Sequence, residues 1–249
     1  LPSDACDRVV MVGGDGTLHE CVNSRADGLP WPVGVVPMGT ANLVGRELRM
    51  PLNRKADGLT RRLLASSPWR VDLMRMTHSD GRTEQAVANI GAGLDAEVVH
   101  AIADLRSGAS GTGGYIQWIP SIWGTVQAFR FPRLRVTVDG RRTFAAAACI
   151  VQNAQNYGGL FRLAPHAALD SGKLDVTLIR ATTKRDLVRV VMGALARRAQ
   201  RFTDVKMVRA EHVHLRCGSR VHLQADGDPA GTTDVEIALL PKAMQLLRA

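Results

Sequence analysis

Four apolar residues, Val9 to Val12, run directly into Gly13, Gly14, Asp15, Gly16 and Thr17. Behind them Leu18, Cys21 and Val22 recur at i, i+3 and i+4, the spacing of one helix face. The pattern predicts a buried strand, a glycine turn and a helix opening at Thr17. It repeats along the first part of the chain: "VGVVP" reads as a second strand, a helix follows from Asn42, and another places Ala56, Leu59, Leu63 and Leu64 in register. From Leu1 to about Arg70 this alternation is the grammar of a parallel α/β sheet.

The period changes at "VDLMRM", after which strands dominate. Asp80-Gly81 and Asp139-Gly140 each lie between strand-like runs and predict hairpin turns. In "RLRVTV", Leu134, Val136 and Val138 alternate cleanly onto one face. The second part is therefore mostly antiparallel β, with two helical interruptions and no internal repeat or low-complexity linker. The first interruption holds Tyr115, Trp118, Trp123, Phe129 and Phe131, most of the aromatic residues of an aromatic-poor chain. It reads either as a core helix broken at Pro120 or as an apolar wall for an acyl chain. The second, Thr183 to Ala199, places Leu187, Val190, Val191, Ala194 and Leu195 on one face and Arg185, Arg189, Arg197 and Arg198 largely elsewhere. Such a helix is a solvated surface helix or a membrane-docking one.

Composition adds two domains rather than one, since 249 residues at 45% hydrophobic fill one large core or two modest ones. A net charge of +9, dispersed along the chain, predicts attraction to anionic partners: nucleotide, anionic lipid or nucleic acid. Nucleic acid is disfavoured, because no zinc-finger spacing, aromatic RNA-binding motif or basic heptad region is present. Cys6, Cys21, Cys149 and Cys217 are far apart among apolar neighbours, so they read as core thiols of a reducing compartment, without disulfides or zinc. With no signal peptide and no run of about 18 apolar residues, the expectation is a cytoplasmic protein.

The glycine turn is the first candidate for chemistry. Gly13, Gly14 and Gly16 let backbone amides approach a ligand and adopt torsions that a Cβ would forbid, and the helix behind them offers unpaired N–H groups. Phosphate is the natural guest, although such a turn taken alone is equally a bare strand-to-helix connection.

A second segment, "PMGTANLVGREL" from Pro37 to Leu48, follows it. Together with "GGDGTLHECVN" it resembles the catalytic domain of the diacylglycerol kinase and sphingosine kinase superfamily, in particular its soluble bacterial lipid kinases. Further segments match in order: "NIGAGLDAEV" from Asn89, "NAQNYGGLFRLAPHAALDSGKLDV" from Asn153 and "QADGDPAGTTDVEIALLPKAMQLL" near the end. The resemblance implies an α/β plus β fold of two domains. Residues 1–70, with 241–249 returning to them, would form an α/β nucleotide domain like that of NAD kinases. Residues 71–240 would form a β-sandwich carrying the lipid site.

The same likeness implies roles. Gly13, Gly14, Asp15, Gly16, Thr17 and Thr40 would hold ATP phosphates in a cleft between the domains. Phosphoryl transfer needs positioned phosphates, Mg²⁺ and an oriented hydroxyl. Asp15, inside a phosphate loop, would organise Mg²⁺ directly or through water; otherwise it is an Asx turn stabilising the loop. Asp226 and Asp228 sit in "ADGDPAG", which by itself reads as a third hairpin turn. By resemblance it is the family's D-G-E segment, whose last acid is the proton acceptor. Here that acid is Asp228, one methylene shorter, and Asp226 is the neighbouring candidate for base or metal network.

Two further departures stand out. The family's usual D-D-G has become Asp170-Ser171-Gly172, which weakens any extra cation site beside the carbonyls near Leu174 and Val176. The family's first strand and N-P-x-S-G-like loop have no counterpart ahead of Val9, so the nucleotide domain reads as incomplete. The expectation is an ATP- and Mg²⁺-dependent kinase of a diacylglycerol-like lipid, in peripheral contact with the inner face of an anionic membrane, and compatible with a homodimer. The alternatives are a NAD kinase-like phosphotransferase and a noncatalytic lipid- or nucleotide-binding module.

Overall fold

A computed structural model describes residues 6–25, 28–51, 58–108, 119–159, 161–196 and 198–248. Strands β1 (Val9–Gly13) and β2 (Val33–Pro37) pair in parallel around helix α1 (Asp15–Asn23), and α2 (Leu43–Glu47) and α3 (Leu59–Ala65) follow. All five residues of β2 are buried, as expected for a parallel strand covered on both faces. β1 departs from the expectation of a buried strand. Among the described residues it pairs only with β2; Met11 alone of its residues is buried, and Val12 is 63% exposed.

The antiparallel part begins at β3 (Pro68–His78), β4 (Thr83–Ala86) and β5 (Asn89–Ala92), continues through helices α4 (Leu94–Gly108) and α5 (Ile119–Ala128), and returns to strand in β6 (Leu134–Val138), β7 (Arg142–Ala146) and β8 (Ala148–Gln152). A small hairpin, β9 (Asn156–Tyr157) and β10 (Phe161–Arg162), precedes β11 (Leu174–Ile179) and helix α6 (Lys184–Leu195). The chain closes with β12 (Val205–Ala210), β13 (His212–Arg216), β14 (His222–Ala225), β15 (Asp228–Thr232) and β16 (Val235–Leu247). One sheet runs β12-β11-β8-β5-β14-β15; the other runs β1-β2-β16-β13-β6-β7, with β3 pairing β16 and β4. The alternation in β6 does its expected work, burying Leu134, Val136 and Val138 between the sheets beside Met74, Met76, Leu174, Val176 and Leu223.

β3 and β16 join the two parts of the molecule. They pair antiparallel from His78–Val235 to Pro68–Leu247, with a register shift between Leu240 and Met244. Beyond it, Leu246 pairs in parallel with Val33 of β2. Thus one end of this ribbon supplies Met76 and Ile237 to the sandwich core. The other end supplies Val71, Met244 and Leu246 to the core of β1, β2 and α1 to α3. Asp72, buried at the shift, accepts from the N–H groups of Lys242 and Gly172, both at 2.8 Å.

The two helical interruptions differ from their expected forms. Pro120 is the second residue of α5, and the residues of the aromatic run ahead of Ile119 lie outside the described ones. Val126 is buried, whereas Ile119 and Trp123 are each 58% exposed; Tyr115 and Trp118 lie outside the described residues. α6 starts at a capping box in which Thr183 Oγ1 accepts from the Asp186 N–H and Asp186 accepts from the Thr183 N–H. It buries Leu187, Val190 and Ala194, but Leu195 is exposed and joins Val188 and Met192 in an outward apolar stripe. Arg197 is outside the described residues, and Arg189 is paired with Asp204 at 2.8 Å. All four cysteines are free; Cys149 is buried and the other three are half-buried. No described helix is long and apolar enough to cross a membrane.

Candidate functional site

The glycine turn after β1 meets the turn after β2 backbone to backbone. A Cβ on Gly14 would stand 2.8 Å from Gly39 Cα, closer than any real contact. None of Gly13, Gly14 and Gly16 has a positive φ, and Gly14 sits at φ −100, ψ −166. The expectation of torsions closed to other residues is therefore corrected: these glycines are required by close approach. Gly13 is backed by the Thr17 side chain, Gly14 by Gly39, and Gly16 by Asp228, whose Oδ2 lies 3.2 Å from where a Cβ on Gly16 would be. The second turn is braced by Asn42, which accepts from the Gly39 N–H at 2.8 Å and donates to the Gly39 carbonyl at 2.6 Å. Thr17 and Thr40 are exposed at the mouth of the paired turns, and Gly13 to Gly16 are half-buried.

Asp15 opens α1, and its Oδ1 accepts from the Val44 N–H at 3.3 Å, so it ties one turn to the other rather than forming an Asx turn of its own. Burial, with the Asp226 charge, pushes this carboxyl up to about 6 against the pull of the Leu43, Val44 and Asn42 amides. At neutral pH it is an ionised acid that gains from a cation.

"ADGDPAG" is the hairpin turn that its sequence suggests: Ala225 pairs with Asp228, and Asp226 and Gly227 take φ 51 and 95, the two positive values of a type I′ turn. It is also pressed against the glycine turn. Asp226, 6% exposed, accepts from the Val87 N–H at 2.7 Å through Oδ2 and from the Ala88 and Asn89 N–H groups at 2.8 and 3.0 Å through Oδ1. Asp228, half-buried at the head of β15, faces Gly16. Asp15, Asp226, Asp228 and the glycines thus share one locality, although Asp15 and Asp228 are far apart in sequence.

Several polar residues of this locality carry no local signal in the sequence. His19 lies on α1 between Glu84 and Asp226, with Nε2 2.9 Å from Glu84 Oε1 and Nδ1 3.5 Å from Asp226 Oδ2. The only hint is its place beside the apolar stripe of Leu18 and Val22. Behind the turn, Gln224 accepts from the Gly227 N–H at 2.9 Å and donates to Asn89 Oδ1 at 2.7 Å and Asp95 Oδ2 at 3.1 Å. Tyr157 donates to the same Asp95 oxygen at 2.8 Å, and a Cβ on Gly91 would overlap it. Burial drives Asp95 above the usual carboxylate range, opposed by Tyr157 and Gln224. Glu47 of α2 accepts from Asn156 N–H and Nδ2, at 2.9 and 2.7 Å, and so fastens the β9 hairpin to the β1–β2 part of the molecule. Asp170-Ser171-Gly172 is satisfied locally: Asp170 accepts from Trp69 Nε1 and Ser171 Oγ donates to the Lys173 carbonyl.

Comparison with known proteins agrees with this architecture. The chain matches the diacylglycerol kinase catalytic domain family over residues 1–76 and the YegS C-terminal NAD kinase beta sandwich-like domain family over residues 88–248. It is 27% identical to a diacylglycerol kinase of Mycobacterium tuberculosis, over 97% of this chain and 77% of that protein. It is 24% identical to a diacylglycerol kinase of Bacillus subtilis, over 90% of this chain and 72% of the relative. The crystal structure of a diacylglycerol kinase from Bacillus anthracis superposes with a TM-score of 0.71 at 18% identity, covering 99% of this chain and 78% of that one. This last likeness is one of fold.

Proposed function

This chain belongs to the family of diacylglycerol kinases and YegS-like lipid kinases, and from that premise we propose that it transfers the γ-phosphoryl group of ATP to a hydroxyl of a diacylglycerol-like lipid. The observation that carries the proposal is the meeting of the two glycine turns with Asp228, whose Oδ2 reaches to 3.2 Å from the position of a Cβ on Gly16. In this reading the backbone amides of Gly13 to Thr17, with the exposed Thr40, receive the phosphates at the start of α1. The absence of a side chain at Gly14 lets the two turns close on each other.

Mg²⁺ fits the donor set. Asp15 offers hard carboxylate oxygens, and its ionisation is opposed by burial and by Asp226. Among the described residues no group of three or more His, Cys, Asp or Glu could hold a metal by itself. That suits an ion carried in on phosphate oxygens and waters with one or two carboxylates. Bound there, Mg²⁺ would neutralise charge on the phosphates.

Asp228 is the residue suited to accept the proton of the attacking hydroxyl, being acidic, half-buried and beside the phosphate turn. Asp226 is suited to a different task. Both its oxygens already accept from backbone N–H groups, so in this reading it is a positioning residue rather than the base. A lipid surface is the matching partner: the stripe of Val188, Met192 and Leu195 on α6 is exposed and flanked by Lys184, Arg185 and Arg189. Vesicle binding should therefore rise with anionic lipid content and weaken with salt, and binding indifferent to both would remove this contact.

The central test is transfer of radiolabelled phosphate from ATP to a panel of lipids carrying free hydroxyls. Label on a diacylglycerol-like lipid, dependent on Mg²⁺, is the expected result. Label on NAD and on no lipid would replace the reading with a NAD kinase-like one. ATP binding without turnover, unchanged in Asp15→Ala and Asp228→Ala, would make the chain a binding module.

A further inference from the structure

His19 is placed where three parts of the molecule meet. It stands one helical turn beyond Asp15 on α1, 8% exposed, with its ring between a carboxylate of β4 and one of the Asp226-Gly227 turn. The contact to Glu84, at 2.9 Å, is a hydrogen bond; the one to Asp226, at 3.5 Å, is an ion-pair approach. Asn23, the next turn along, bonds α1 to the same strand by donating to the Gln85 carbonyl at 2.8 Å and accepting from the Gln85 N–H at 2.7 Å. α1 is therefore fastened to β4 at two successive turns, and the His19 ring reaches past β4 to the hairpin.

The charges explain why a histidine serves here. Burial favours a neutral ring, but Asp226 and Glu84 on either side outweigh it and push the imidazole up to about 10. At neutral pH the locality holds a buried cation between two acids, with Asp15 close enough to Asp226 for their charges to oppose each other. Without the cation, Glu84 and Asp226 would lose the charge between them, and Asp15 would add to the repulsion on Asp226.

We propose that His19, acting through Asp226, is the positioning residue that sets the distance between Asp228 and the Gly13 to Thr17 turn. The proposal rests on the reading of this cleft as a phosphotransfer site, because only there does that distance govern a rate. Misplacement of a reacting group by about 1 Å is enough to lose roughly 10²-fold in rate. Substrate affinity, which depends on the turns themselves, is separate from it.

The test compares the full chain with His19→Ala, His19→Gln and Glu84→Gln, assayed well below each variant's melting temperature. His19→Ala should lose about 10²-fold in kcat with KM for ATP little changed. His19→Gln keeps one donor without charge and should recover part of that loss; Glu84→Gln, which leaves the His19 to Asp226 contact in place, should lose least. Amide hydrogen exchange gives a readout independent of turnover: segments 84–90 and 224–230 should exchange faster in His19→Ala while the β6 to β7 hairpin is unaffected. An unchanged kcat in a folded His19→Ala, or unchanged exchange in both segments, overturns the proposal. If His19→Ala does not fold, His19→Gln carries the same two readouts and decides by the same results. If the unaltered chain transfers no phosphate to any lipid, the kinase reading fails, and faster exchange in those two segments still supports the clamp while unchanged exchange removes it.

Discussion

Two Asp-Gly hairpin turns in this molecule are nearly superimposable in chemistry and opposite in consequence. Asp139 and Gly140 take φ 49 and 63; Asp226 and Gly227 take φ 51 and 95. In both, the aspartate accepts from backbone N–H groups of another segment: Asp139 Oδ1 from Glu211 and His212, each at 2.9 Å, and Asp226 from Val87, Ala88 and Asn89. The first turn stands in solvent at the end of the sandwich, whereas the second is buried against α1. Turn geometry is therefore a local property of the dipeptide, and chemistry comes from what the turn is packed against.

The largest difference between them should appear in turnover. Asp228→Asn, two residues into the buried hairpin, is expected to lose about 10²-fold or more in kcat, the scale of a general-base contribution. Asp228→Glu should hold or raise the rate, since the longer acid reaches further. Asp139→Asn should leave kcat unchanged. Full activity in Asp228→Asn would remove the distinction between the turns at its most important point.

Stability separates them next. Asp226→Asn puts an amide where backbone donors expect an acceptor and strips His19 of a charge partner, at an expected cost of about 2 kcal/mol in denaturant unfolding. Asp139→Asn, exposed and close to the same shape, should cost about 0.5 kcal/mol. Equal losses would mean that burial does not distinguish the two carboxylates.

The smallest and sharpest contrast is in pH. Burial raises Asp139, but the His212 and Glu211 amides and Lys173 together outweigh it and hold the carboxyl below the usual range. Its contribution is present above the unfolded value of about 3.9 and lost as pH falls through the folded one. His19, raised to about 10, contributes in full below the unfolded value of about 6.5, and that contribution is lost as pH rises through about 10. Unfolding free energies across the pH range, with Asp139→Asn and His19→Gln as references, should therefore show one difference fading in acid and the other in alkali. Two differences fading on the same side would contradict the assigned charge states.

What the sequence made legible follows from range. The alternation of Leu134, Val136 and Val138, the three Asp-Gly turns and the strand–turn–helix around Gly13 are written in neighbouring residues, and they appear as expected. The reason for the glycines was not legible, because it lies in Gly39 and Asp228, which no window around Gly14 contains. His19 was hidden for the same reason: its partners Glu84 and Asp226 come from other elements. The aromatic run around α5 was legible only in part: Phe129 and Val126 are buried in a core, whereas Trp123 is exposed. The outward turn of Leu195 on α6 reflects a stripe narrower than the apolar residues available to fill it.

The ribbon of β3 and β16 dictates an order of assembly. β1 and β2 leave the ribosome before the other described strands, yet the strand that flanks β2 in parallel through Leu246 is synthesised after every other described element. The nascent β1–β2 pair must wait, one edge open, until more than 200 residues have followed it. Contacts of such sequence separation slow folding, because loop closure must precede the gain from pairing. Val35 and Leu18, buried in a core that Leu246 completes, lack that cover until β16 has been made.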